Sequence, residues 1–197
     1  MSDSKNQTKQ DIDQVISKLA LELAKLSPGN LASLRRAIPG HGCPEFWRLF
    51  YSQKLDQHRI PHSKDNEQAW EWVMIAIARL TPTGQPVIRS GEKEDFKLSA
   101  HDPELSLGQA LSDANVPEIR VVRLLSAPFV QRREMMMRLI HVLSAARARF
   151  NMYDIARLLA QEHHDLRAAD NPLRKLAKDY YHACDKKSAK EKETANA

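Results

Sequence analysis

The sequence predicts an all-α protein built from two helical halves. Apolar residues recur at three- and four-residue spacing along most of the chain, and glycine is scarce, at 6 among 197 residues. One long stretch, 81–103, breaks the pattern. Scarce glycine disfavours a hairpin-rich β fold, which needs many tight turns. The length suits one or two small domains and can bury a core without disulfides or structural metals.

The first helix is read from Ile12, Val15, Ile16, Leu19, Leu23 and Leu26, and Ser27-Pro28-Gly29 ends it. Asn30 is the candidate N-cap of a short helix over 31–38, stopped by Pro39-Gly40. Pro44 suits the first position of the next helix, where an N–H would have no partner anyway, with Phe46, Trp47, Leu49 and Phe50 inward. Asp65 and Gln68 have capping-box spacing ahead of Trp70, Val73, Met74 and Ile77. Beyond the break, Leu105, Leu107, Ala110 and Leu111 mark a helix. Pro117 opens another, with Ile119, Val122 and Leu125 inward, and Ala127-Pro128 ends it. Met135, Met136, Leu139, Ile140, Val142 and Leu143 line a long helix and leave Met137 outside the stripe. Asn151 and Asp154 resemble an N-cap and its reciprocal acid ahead of Ile155, Leu158 and Leu159. Asn171-Pro172 starts a last helix that runs to about Cys184. The expected organisation is an N-terminal bundle over 1–80, a linker loop over 81–103, a C-terminal bundle over 104–184, and a disordered tail over 185–197 of Lys, Glu and small residues.

Chemistry is conspicuous by its lack of motifs. The sequence holds no P-loop, dinucleotide fingerprint, G-x-S-x-G, H-E-x-x-H or C-x-x-C, so no enzyme, cofactor or metal site is expected. His58 and His62 are separated by Pro61, and adjacent residues in Glu162-His163-His164-Asp165 diverge on a helix, so both read as solvated or capping groups. Trp47, Trp70 and Trp72 could stack bases, but Trp70 belongs to the apolar pattern, whereas Trp72 lies off it and is expected to be partly exposed. Cys43 and Cys184 are too few for a disulfide framework and fit a reduced, cytoplasmic setting. The first ten residues lack a signal-peptide core, and the longest apolar run, 73–78, is far too short to span a bilayer, so no membrane partner is expected.

Charge is the informative feature. Between 119 and 150 stand Arg120, Arg123, Arg132, Arg133, Arg138, Arg147 and Arg149 against Glu134 alone, which accounts for the whole net charge of +5. Arg35-Arg36, followed by Arg48 and Arg59, forms a second basic spot. Arginine binds phosphate through a planar fork and stacks on bases, so this choice of cation suits nucleic acid. The opposing reading is a solvated helix face with internal salt bridges.

An ordered series of short segments resembles a known family. The series comprises Leu26-Ser27-Pro28-Gly29, Ala32-Ser33-Leu34-Arg35-Arg36, Phe46-Trp47-Arg48-Leu49, Ser106-Leu107-Gly108-Gln109-Ala110-Leu111, then Arg120 and Leu124-Leu125-Ser126-Ala127. It continues through Met137-Arg138-Leu139-Ile140 and Asp154-Ile155-Ala156-Arg157-Leu158-Leu159. Over roughly residues 20–180, with matching spacing, these segments resemble the CasB family, the small subunit of Cascade, the type I-E CRISPR surveillance complex. Gln109, where some relatives carry Arg, and the longer segment before Leu26 depart from the pattern. The resemblance implies an elongated, two-lobed, all-helical protein without catalytic activity or cofactor. Its implied partners are the other Cascade subunits, a second copy of itself, guide RNA, and the target and displaced DNA strands. Arg35, Arg36, Arg120 and Arg138 match basic positions of the family, and Arg123 shares the helix face of Arg120. The competing readings are a helix-turn-helix regulator over 107–125, whose turn lacks glycine, and a scaffold whose arginines meet acidic proteins.

Overall fold

The computed structural model describes residues 2–61, 63–82, 99–160, 162 and 171–195, with side chains described from Asp11 to Thr194 within those ranges. The described residues form nine α-helices: α1 Ser2–Ala24, α2 Pro28–Arg36, α3 Pro44–Ser52, α4 Asn66–Leu80, α5 Leu107–Asp113, α6 Glu118–Ser126, α7 Phe129–Ala145, α8 Met152–Ala160 and α9 Pro172–Ala195. A 3-10 turn lies at Leu55–Gln57. The all-α expectation holds: the described residues form no strand or sheet and carry only isolated bridges, such as that between His101 and Phe150.

The fold is organised around α4. Trp70, Val73, Met74, Ile75, Ala76, Ile77 and Ala78 are all fully buried. A helix apolar on every side must lie inside, and α1, α2, α3, α7 and α8 pack around this one. Each fully buried Ile or Met side chain contributes about 1.5–3 kcal/mol. The start of α4 is capped as its sequence predicts, with the Asp65 carboxylate accepting the Gln68 N–H at 3.0 Å. Trp70 donates its indole N–H to the His58 carbonyl at 2.8 Å, so the one polar atom of a buried ring is satisfied.

The halves on either side of 81–103 share one continuous apolar core. Polar ties join them too: Ser144 donates to the Arg79 carbonyl at 2.8 Å, and Arg133 donates to Gln68 at 3.1 Å. Residues 83–98 of the expected linker lie outside the described residues, but its last part is packed rather than looped. Ser99, Ala100 and His101 are buried, and the Ala100 carbonyl accepts the Phe150 N–H. His101 Nδ1 accepts the Met152 N–H at the start of α8, and burial pushes its pKa down, which favours the neutral ring this bond requires.

Two contacts fix α5. At Gly108 the helix meets α9 so closely that a Cβ would lie 2.6 Å from the Leu176 carbonyl oxygen and from the Tyr180 nitrogen. Asp154 was expected to reach back to Asn151. It instead accepts the Leu107 N–H at 3.1 Å and Lys175 Nζ at 3.0 Å, tying α5, α8 and α9 together. Burial works against the Lys175 charge, but Asp154 and Asp179 outweigh it and raise its pKa. Burial also drives the Tyr180 phenol up to about 12, so it stays a donor to the Val116 carbonyl.

Several local expectations are corrected. The N-cap of α2 is Ser27, not Asn30: Ser27 accepts the Asn30 N–H, and Pro28 opens the helix. α6 buries Val121 and Leu124 and exposes Ile119 and Val122, because it carries two apolar stripes and only the former meets the core. Met137 is buried beside Met136. Trp47, expected inward, is 36% exposed, whereas Trp72 is partly buried against the core as expected. Helix continues to Ala195 through the segment expected to be disordered, since Lys, Glu and Ala favour helix and propagation from an anchored helix adds one bond per residue.

The Gly108 contact yields a direct test. Gly108→Ala should destabilise the fold by about 1–3 kcal/mol, because backbone on α9 cannot yield as a flexible side chain would. Denaturant titration of the variant, followed by circular dichroism, measures the change.

Candidate nucleic-acid interface

The arginines divide by what their guanidinium groups touch. Arg35 donates through Nε to the Ala78 carbonyl at 2.8 Å and through Nη2 to the Thr81 carbonyl, so it caps the C-terminus of α4. Arg79 returns the contact to the Arg35 carbonyl at 3.2 Å. Arg133 donates to the Leu159 carbonyl at 2.6 Å and lies over the rings of Phe129 and Trp72 at 4.2 and 5.3 Å. Arg132, 7% exposed, donates to the Ala127 carbonyl at 2.9 Å. Arg149 holds the Ser99 carbonyl at 3.0 Å. Burial lowers the pKa of Arg35, Arg79, Arg132 and Arg133, without bringing an arginine near neutrality.

The other set faces solvent. Arg36, Arg120, Arg123 and Arg138 are exposed, and none has a side-chain hydrogen bond or ion pair among the described residues. Arg120 and Arg123 lie side by side on the exposed side of α6, next to the exposed Ile119 and Val122. Arg138 belongs to an exposed stripe of α7 with Gln131, Glu134 and His141. Arg147 is also exposed and adopts a left-handed φ of 51°, in a turn where Ala148 N–H reaches the Leu143 carbonyl and ends α7. Of the five residues singled out from the sequence, Arg36, Arg120, Arg123 and Arg138 present open cations, and Arg35 is engaged inside the molecule.

Cations also gather along α9. Its Lys186, Lys187 and Lys190, with His182, line a cleft of about 260 Å³ against Gln109 and Asp113 of α5. Lys187 is tied down there by Asn115 at 3.3 Å and Asp113 at 3.6 Å. The turn between α5 and α6 does without glycine because Asn115 takes the left-handed position, at φ 52°. No group of three His, Cys, Asp or Glu among the described residues could hold a metal, while His62 and residues 163–165 lie outside them. Nor is any helix among the described residues long and apolar enough to cross a membrane.

The family model for CRISPR-associated protein Cse2 matches residues 30–181, a span that contains all five of the singled-out arginines. The chain belongs to the Cse2 family. This is the CasB family of the resemblance, the small subunit of type I-E Cascade, so the protein is a Cascade small subunit with other Cascade proteins as partners. No curated protein and no solved structure matches this Cse2 chain.

The two sets of arginines should respond differently to truncation. Arg35→Ala strips the donors from two carbonyls at the end of α4 and should cost about 1–3 kcal/mol of stability. Arg36→Ala, one residue along, should leave the unfolding midpoint unchanged. Paired thermal melts of the two variants check this.

Proposed function

We propose that this Cse2 protein is a non-catalytic, sequence-independent nucleic-acid scaffold. In Cascade, in the cytoplasm, it helps hold the target and displaced DNA strands once guide RNA has paired with the target, and it does so as one of two copies. What carries the reading is the set of exposed arginines at Arg36, Arg120, Arg123 and Arg138, unpaired among the described residues, in a molecule that engages Arg35, Arg79, Arg132, Arg133 and Arg149 internally. An arginine with no internal partner keeps its fork for phosphate. Base pairing supplies sequence specificity in such complexes, so the protein needs only to follow backbone. Arg35 contributes by position, fixing α2 against α4 so that Arg36 faces outward.

The chemistry required is electrostatic rather than covalent. Phosphate contacts place a strand without reading its bases, and each releases counterions. Arg120→Ala and Arg138→Ala should therefore weaken binding about equally across DNA sequences. Each should lower the slope of log-affinity against log-salt by roughly 0.7 for a single strand. A salt titration of opened-duplex binding by the reconstituted complex measures both. Unchanged slope and affinity, with the subunit still incorporated, would remove these residues from the contact list.

A further inference from the structure

The charge argument leaves one surface of α3 unused. Phe46 and Phe50 are buried, whereas Trp47 and Tyr51, one turn apart, are 36% and 60% exposed. Their rings lie nearly parallel, 17° between planes and 6.2 Å between centroids. Both are braced from within: Trp47 meets Phe46 and Phe50 edge-on at 5.0 and 6.4 Å, and Tyr51 meets Phe50 edge-on at 5.3 Å. Trp47 also lies directly on Gly42, where a Cβ would come within 2.6 Å of its indole nitrogen. Gly40 and Gly42 adopt φ of 90° and 65°, open to glycine, and their N–H groups donate to the carboxylate of Glu71, buried on α4. A side chain that usually goes inside is thus held at the surface in one orientation by a turn bonded to the central helix.

The surroundings select the occupant. Arg36, Arg48, Lys54 and Arg59 of this region are exposed, as is His41. Besides the buried Glu71, the acids are Asp56 and Glu45; Glu45 is paired with Arg48 at 2.7 Å, and Arg59 donates to the Ser63 carbonyl at 3.1 Å. A flat aromatic surface amid cations matches a ligand that carries both a π face and phosphate. A purely apolar protein surface would leave Arg36 and Lys54, which have no ion pair among the described residues, unanswered.

We propose that Trp47 and Tyr51 form a stacking platform for unpaired nucleobases of a single strand whose phosphates the neighbouring cations hold. This rests on the nucleic-acid reading above and adds base contact to it. Such stacking is sequence-tolerant, because every base has a π face. A braced ring also loses little freedom on binding, which favours affinity.

The test uses the full chain, an oligothymidine strand and an abasic strand of equal length. Trp70 is fully buried and Trp72 is packed under Arg133, so a change in tryptophan emission on binding reports Trp47. Oligothymidine should quench this emission, the abasic strand should not, and Trp47→Phe should abolish the quench. Trp47→Ala and Tyr51→Ala should each weaken oligothymidine binding roughly 5- to 100-fold. Abasic binding should be unchanged, which also shows that the variants are folded. Trp47→Phe, which keeps an aromatic ring, should retain most of the affinity. Alanine variants that bind both strands like the wild type would overturn the platform and leave phosphate binding standing. If they also dropped out of the assembled complex, the ledge would be a protein contact instead. Binding of neither strand by the wild type would remove the nucleic-acid reading together with the platform.

Discussion

The burial of α4 is the constraint on which the rest of the structure depends. A helix buried on nearly every side from Ala69 to Leu80 must be covered all round, and the helices before and after residues 81–103 share that work. Its polar groups then need partners inside the protein. Asp65 satisfies its first turn, Arg35 its last carbonyls, and the Glu71 carboxylate on its buried face receives two backbone N–H groups from the Gly40–Gly42 turn. Those partners fix α2, the turn before α3, and the side chains that they carry to the surface. The positions of Arg36 and Trp47 at the surface are therefore set through the interior helix against which α2 and the turn before α3 are bonded.

The same logic divides the arginines. A guanidinium bound to buried carbonyls exchanges hydration for charge-assisted hydrogen bonds, and removing it would strand those carbonyls. One left in water without an ion pair contributes little to folding but remains available to a polyanion. The excess of arginine between 119 and 150 is thus a mixture of the two. Arg132 holds the turn between α6 and α7, Arg133 ties α7 to α8, Arg149 holds the 99–101 segment, and Arg120, Arg123 and Arg138 face outward. The surface charge offered to a partner is smaller than the sequence total, and it is placed by secondary structure.

What the sequence reveals most clearly is local. The caps at Asp65 and Asn171 and the opening Pro44 need only neighbours three residues away, and each is found where the spacing puts it. What it hides is long-range or degenerate. Ile119/Val122 and Val121/Leu124 have identical spacing, so periodicity cannot choose between them, and packing decides. Ser27 and Asn30 are both good caps, and Pro28 favours the earlier one by fitting the first turn. The role of Arg35 depends on carbonyls 43 and 46 residues away. The exposure of Trp47 depends on the Gly42 turn and thus on Glu71, a pairing across 29 residues. The family itself is legible because an ordered series of segments carries it, where no single motif would.

The central claim is that this fold separates arginines that hold its own carbonyls from arginines offered to phosphate. Arginine-selective dicarbonyl labelling, read by peptide mass spectrometry on the assembled complex with and without opened duplex, tests that separation most directly. Arg35, Arg132 and Arg133 should stay unreactive in both states, whereas Arg36, Arg120, Arg123 and Arg138 should react without DNA and be protected with it. Equal labelling of those four in both states, or ready modification of the first three, would contradict the account.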